Sequence, residues 1–262
     1  MSHKTLVNGT IYEVKGGKCL VNGTSYDIKK GRTLIGGTGY DITFAPPLVM
    51  PVKGDLITMN LDGTDMLYRV LKIVDKTVVE VLTMWNLHGD LRFDQYYSDY
   101  KDSELDTYLN TTWYNTLSST AKAALVSKNI NQYAYTDNSG YNSNAHASYA
   151  DYSTKTLNEN VGNRYIYALD VEDIEMYFGG TGGSANDKTP ATFSRTDILR
   201  MFWNRKTNIG ESVWLRSKKA NDYGYGWRVF GKGFVDIATV TAYCNARGAF
   251  QIDLSKIGFT IN

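Results

Sequence analysis

Val213-Trp-Leu-Arg-Ser217, Asn221-Asp-Tyr-Gly-Tyr225 and Gly226-Trp-Arg-Val-Phe-Gly231 follow one another near the C-terminus, and their reading decides the fold. The first segment is apolar apart from one charge, as a strand against a core is. Side chains alternate across a strand, so Trp214 and Arg216 share a buried face and Arg216 must be paired inside the fold. The second segment is a turn, where Gly224 and Gly226 let the backbone bend sharply and alternate side chains project outward. In the third, Val229 beside Trp227 marks Trp227 as a buried strand position. Asn245-Ala-Arg-Gly-Ala-Phe-Gln-Ile-Asp-Leu254 follows, and 211–262 as a whole reads as short strands and turns.

Further upstream the periodicities mix. Gly54 to Leu61 opens a hairpin through Asp62-Gly63, and Leu67–Ile73 and Thr77–Met84 alternate or run apolar as strands do. Ser103-Glu-Leu-Asp106 resembles a capping box, and Leu105, Leu109, Trp113 and Leu117 recur every four residues behind it, as on the buried stripe of a helix. A second short helix is expected from Thr120 to Val126, a third from an Asp170 cap to Phe178, and a fourth from Asp197 to Trp203. Gly179 to Gly183 reads as a break, and the polar, Tyr-rich stretch 131–160 as a long structured loop.

The N-terminus is built from repeats. Lys4-Thr-Leu-Val-Asn-Gly-Thr-Ile-Tyr-Glu-Val-Lys15 recurs in register at Lys18 and at Arg32, a period of 14 residues. Asn8-Gly9, Asn22-Gly23 and Gly36-Gly37 supply the residues of tight hairpin turns. A meander of very short strands is therefore expected over 1–44. It carries six basic against three acidic residues. So short a segment usually needs a partner surface, which makes it an anchor pairing with another chain; the alternative is a β-extension of the main domain. The Pro-rich stretch 45–52 is a semi-rigid linker to a domain at 53–262.

Composition narrows the function. At 262 residues, a net charge of +1 and a mean hydropathy of −0.34, the chain suits one soluble domain with an appendage. The charge argues against nucleic acid. No apolar run is long enough to insert in a membrane, and no secretory signal follows Met1. Cys19 and Cys244 read as free thilos of a chain made in a reducing cytoplasm. His3, His88 and His146 share no ligand spacing, so neither a metal nor another cofactor is expected. Gly179–Gly183 lacks the Lys-Ser/Thr of a phosphate loop, and the carboxylates from Asp170 to Glu175 fit a solvated helix face better than a hydrolytic pair.

The C-terminal motifs, together with Lys53-Gly-Asp-Leu-Ile57, Tyr68-Arg-Val-Leu-Lys-Ile73, Ser103–Asn110 and Tyr165-Ile-Tyr-Ala-Leu-Asp170, resemble the DUF6273 family over about residues 48–262. One departure is Arg247-Gly248, where that family usually has Arg-Pro. The family is similar to the C-type-lectin-like folds of phage tropism determinants and formylglycine-generating enzymes. The N-terminal repeats resemble those opening many phage structural proteins. The resemblance implies an α+β chain: a C-type-lectin-like domain preceded by a β-repeat (β-meander) anchor.

It further implies a non-enzymatic virion protein, synthesised in the host cytoplasm. Residues 1–44 would join it to other virion proteins, and a homo-oligomer would turn weak binding into avidity. The domain would bind a host-surface glycan or protein receptor, with Asp222, Tyr223, Tyr225, Arg228, Tyr243 and Asn245 as contacts, since tyrosine and arginine dominate binding surfaces. A polar loop with no ligand remains the alternative there. For the whole chain the alternatives are a capsid, neck or tail decoration protein and, more distantly, a glycan hydrolase.

Overall fold

The computed structural model describes residues 3–7, 10–14, 18–21, 24–27, 30–35, 38–43, 48–137, 150–178, 203–204, 209–230 and 234–262, with side chains at 48–136, 154–174, 211–229 and 235–262. The chain divides into two compact units, Met1–Val49 and Met50–Asn262.

In the first unit β1 (His3–Val7) pairs with β2 (Thr10–Val14), β3 (Lys18–Val21) with β4 (Thr24–Asp27), and β5 (Lys30–Ile35) with β6 (Thr38–Thr43), all antiparallel. The innermost pairs, Val7 with Thr10, Val21 with Thr24 and Ile35 with Thr38, flank the Asn-Gly and Gly-Gly dipeptides of the repeats. The expected meander is corrected: among the described residues these are three separate two-stranded sheets, and no repeat pairs with the next. Each dipeptide closes its own strands locally, so the ladder does not need to continue from one repeat to the next. A lone two-stranded hairpin is only marginally stable in water.

The second unit opens with β7 (Leu56–Asn60), β8 (Asp65–Ile73), β9 (Val78–Thr83) and β10 (His88–Arg92). A helical run follows: α1 (Glu104–Thr107), a π-helical turn (Tyr108–Trp113), α2 (Tyr114–Thr116) and α3 (Ser119–Ala124). Then come β11 (Leu125–Val126), β12 (Lys128–Asp137), β13 (Ala150–Arg164), β14 (Ile166–Tyr167) and α4 (Val171–Phe178). The chain ends through β15 (Trp203–Asn204), β16 (Ile209–Gly210), β17 (Val213–Lys219), β18 (Tyr225–Phe230), β19 (Phe234–Thr239), β20 (Tyr243–Ala246), β21 (Ala249–Asp253) and β22 (Phe259–Ile261).

Two seven-stranded sheets carry the unit. One is antiparallel, in the order β11-β21-β9-β8-β7-β22, with β14 sharing the outer edge of β21. The other is mixed, in the order β10-β20-β17-β12-β13, with β18 and β19 added beside β17; its β12–β17 and β17–β20 contacts are parallel. Phe250 on β21 meets Tyr68 edge-on at 5.5 Å and Trp113 at 6.0 Å, tying the antiparallel sheet to the helical run. Phe93 meets Trp214 of the mixed sheet at 5.6 Å.

These observations overturn the expected α+β, C-type-lectin-like domain. Strands hold 50% of the residues and helices 15%, so the chain is mostly β, and no lectin fold is shown. The difference comes largely from 131–160, read as a loop. There β12 and β13 form a long antiparallel pair. Register shifts after Ile130, Gln132 and Ala134 break the alternation, and the inward position at 132 is a buried glutamine. Gln132 is held by bonds from Nε2 to the Ser98 and Arg216 carbonyls, both 2.6 Å.

The first helix is also interrupted. Ser103 caps it through Asp106 N–H at 3.1 Å, and Leu105, Leu109, Trp113 and Leu117 are all buried. An apolar residue at every fourth position drifts off a turn of about 3.6 residues, and the wider π turn absorbs that drift. Asp170 does cap α4, accepting from Glu172 N–H at 3.1 Å. The Gly179–Gly183 break and positions 197–202 of the fourth helix lie outside the described residues, and Trp203 is in a strand.

The deciding segment Val213–Ser217 is buried at every position, not only on alternate ones, because the strand has packing on both faces. Arg216 pairs with Asp173 at 2.7 Å and with Asp170 at 3.8 Å, and donates to the Ala168 and Asn131 carbonyls at 2.7 and 2.8 Å. At Gly248 a Cβ would stand 2.8 Å from Ile166 Cγ2, and the Gly248 N–H donates to Thr83 Oγ1 at 3.2 Å. A proline would bring that clashing Cβ and lack the N–H, which accounts for Arg-Gly at this point.

Candidate functional site

Three loops are hydrogen-bonded together around the β17–β18 turn. The β17–β18 turn begins at Ala220, whose N–H donates to the Tyr135 carbonyl, and passes through Asn221 with a left-handed φ of 59°. Asparagine tolerates that conformation better than most residues. Asp222 then fixes the turn, its Oδ1 accepting from Gly224 N–H at 2.9 Å, while its backbone carbonyl accepts from Ser98 Oγ at 3.4 Å. Val240 joins the loops: its N–H donates to the Gly224 carbonyl at 2.9 Å, and its carbonyl accepts from Phe93 and Asp94 at 3.0 and 3.3 Å. Asp94 Oδ1 in turn accepts from Tyr96 and Tyr97 N–H at 2.9 and 3.3 Å.

This scaffold holds tyrosines in solvent. Tyr96, Tyr97 and Tyr223 are 65%, 58% and 70% exposed, with Tyr97 6.3 Å from each of the other two rings. Tyr243 on β20 is 64% exposed and lies across from Arg92 of β10, the residue before Phe93. Tyr225 is half-buried with Lys219 Nζ 5.1 Å from its ring centre, and Lys219 also stands 3.9 Å from Asp222. Tyrosine keeps a large, stiff, amphipathic ring at low entropic cost, which suits it to recognition.

Of the residues the sequence pointed to, Asp222, Tyr223 and Tyr225 come together in one turn, and Tyr243 is exposed on the strand beyond it. Arg228 and Asn245 are half-buried and bonded within the fold. Arg228 pairs with Asp236 at 2.7 Å and donates to Cys244 Sγ at 3.7 Å; Asn245 Nδ2 donates to the Ser212 carbonyl at 2.9 Å. Burial pushes the Cys244 thiol up despite the Arg228 contact, which disfavours the reactive thiolate. Sequence reasoning missed Tyr96 and Tyr97. Their signal was an adjacent pair of tyrosines just after the turn-forming Asp94, in a stretch with no apolar alternation. In the other Tyr-rich stretch, Tyr135 is buried against Asp170 at 2.6 Å and Lys155 sits 3.8 Å over the Tyr133 ring, while the side chains of Tyr141, Tyr149 and Tyr152 lie outside the described residues.

A family model described as "Domain of unknown function (DUF6273)" matches residues 75–254. The chain belongs to the DUF6273 family. The matched stretch contains every loop of the tyrosine face and the whole mixed sheet, and leaves the hairpin repeats, β7 and β8 before it. No curated protein and no solved structure matches this DUF6273 chain.

Beneath the face the DUF6273 domain buries a polar knot. Burial raises the Asp170 carboxyl despite the nearby Arg216 guanidinium, and burial together with Asp170 raises the Tyr135 phenol. Burial works against the Arg216 charge, but Asp173 and Asp170 outweigh it and hold the guanidinium above its usual range. Arg216 joins the strands of this knot by donating to the Asn131 carbonyl of β12 and pairing with Asp173, while Asp170 Oδ2, 3.8 Å from Arg216, accepts no hydrogen bond among the described residues. Among the described residues, no group of three or more His, Cys, Asp or Glu is placed to hold a metal ion, and no helix is long and apolar enough to cross a membrane.

Proposed function

We propose that this chain is a binding component of a bacteriophage virion. In this reading the tyrosine face contacts a receptor on the host surface, and the hairpin repeats fasten the chain to other virion proteins. The observation that carries the reading is the cluster of Tyr96, Tyr97 and Tyr223, with Tyr243 beyond it, held more than half exposed by a hydrogen-bonded scaffold. Exposed aromatics grouped in this way mark interaction sites more often than solitary exposed residues do. The repeats support the second half: three marginal hairpins gain stability by pairing with another surface. Binding is favoured over catalysis because the carboxylates at the face, Asp94 and Asp222, are committed to backbone turns and Lys219 is engaged with Asp222 and the Tyr225 ring.

A competition assay tests the reading. Purified full-length chain, added in excess to sensitive cells, should slow adsorption of the particle that carries it. Unchanged adsorption at saturating chain would contradict receptor binding and leave the decoration role.

A further inference from the structure

A concave surface lies where the helical run meets the end of β13. It is a groove of about 450 Å³, within the range of small-ligand sites. Its floor is the pair of Asp106 and Arg164. Arg164 donates to both carboxylate oxygens of Asp106, from Nε at 2.9 and 3.1 Å and from Nη2 at 2.8 Å. Asn110 supports the floor, linking Asp106 Oδ1 at 2.9 Å to the Ile166 carbonyl at 2.6 Å. One wall is a stacked pair of rings, Tyr114 on Tyr165, with centres 5.5 Å apart and planes 19° apart. The rim carries the exposed Asp102 carboxylate and the side chains of Asn163 and Thr111.

Two backbone irregularities converge on this groove. Asp102 has a φ of 65°, one of three positive-φ non-glycine residues among those described, and its N–H is held by Asp106 Oδ2 at 3.0 Å. Asn110 and Thr111 lie on the π-helical turn Tyr108–Trp113. Both kinds of irregularity gather at functional sites, because a surrounding structure must enforce them.

We propose that this groove is a saccharide-binding site. The chemistry of the walls selects that class. Among the lining residues Arg164 is shared by Asp106 at 2.8 Å and Asp102 at 4.0 Å, so two carboxylates face one cation and the net negative charge repels phosphates and acids. A sugar ring lays its C–H face, slightly positive, against the electron-rich face of Tyr165. Its hydroxyls donate to Asp102 and exchange hydrogen bonds with the Asn163 amide and the Thr111 hydroxyl. Asp106 is engaged by Arg164, Asn110 and the Asp102 N–H, so it holds the floor of the groove and leaves Asp102 to meet the ligand. The inference stands apart from the tyrosine face, which shares none of these residues.

Saturation-transfer NMR on the full-length chain tests it, with the methyl glycosides of N-acetylglucosamine, rhamnose and galactose as probes. At least one should give signal at millimolar concentration. Tyr165→Ala, at an exposed position, should remove that signal without lowering the melting temperature. Asp102→Gly should cut it about tenfold while holding the melting temperature at or above wild type, since glycine adopts a positive φ freely. The Tyr97→Ala, Tyr223→Ala double variant should leave it intact. The proposal is overturned if none of the three glycosides gives signal, if Tyr165→Ala leaves the signal unchanged, or if Asp102→Gly lowers the melting temperature, which would make Asp102 a structural residue.

Discussion

Replacing Arg216 with methionine removes a cation placed between two buried carboxylates. Asp173 loses its 2.7 Å partner and Asp170 its 3.8 Å partner, and the Ala168 and Asn131 carbonyls lose donors. Breaking a buried pair from one side costs about 3–5 kcal/mol, because the remaining charge has neither water nor a counterion. For a domain of this size, with a shift of about 2–4 °C per kcal/mol, the melting temperature should fall by roughly 10 °C. The loss should also depend on pH. Burial already raises the Asp170 carboxyl in the folded protein, and Arg216 opposes that rise. Without Arg216 the folded carboxyl titrates higher still, above its unfolded value. The folded state then binds more protons than the unfolded state between those two values, so stability falls as pH rises through that window. The Arg216→Met deficit should therefore be largest at neutral pH and shrink on acidification. Urea unfolding of wild type and variant at pH 7 and pH 5 measures both effects. A deficit below about 1 kcal/mol, or one equal at the two pH values, would refute the reasoning.

Three further outcomes are expected. Leu109→Ala or Trp113→Ala should each cost about 2–5 kcal/mol in denaturant unfolding, as core truncations do, since both side chains are buried on the helical stripe. Gly248→Ala should cost about 1–3 kcal/mol, because its Cβ would meet Ile166 Cγ2 at 2.8 Å and Leu87 Cδ1 at 3.2 Å; an unchanged midpoint would show that β14 yields freely. Deleting residues 1–47 should leave a second unit with its thermal midpoint intact that no longer incorporates into particles; normal incorporation would rule out the repeats as the attachment.

Much of the scaffold is legible in sequence because local rules govern it. The Asn-Gly and Gly-Gly dipeptides mark where the three hairpins turn, and the Ser103 and Asp170 caps fall at the starts of α1 and α4. The balance of strand and helix is not legible, for identifiable reasons. Bulges in β12 and the inward-facing Gln132 disguise a ten-residue strand as polar loop. A four-residue apolar repeat looks like one continuous helix although a π turn interrupts it. Long-range pairings such as β14 and β11 sharing the edge of β21 leave no local trace at all. In the candidate site, the turn at Asp222–Tyr225 is readable from its glycines. The arrival of Tyr96 and Tyr97 beside it depends on Val240 bonding two distant loops, and the pairing of Arg228 depends on Asp236 lying opposite it on β19.

The most direct test of the account is the adsorption rate of particles carrying Tyr97→Ala and Tyr223→Ala together. Both rings stand in solvent, so folding and incorporation should be unaffected. If the face holds the receptor, losing two contact aromatics removes at least about 2 kcal/mol of binding, and adsorption should fall tenfold or more. Wild-type adsorption by particles that contain the variant in normal amount would contradict the account.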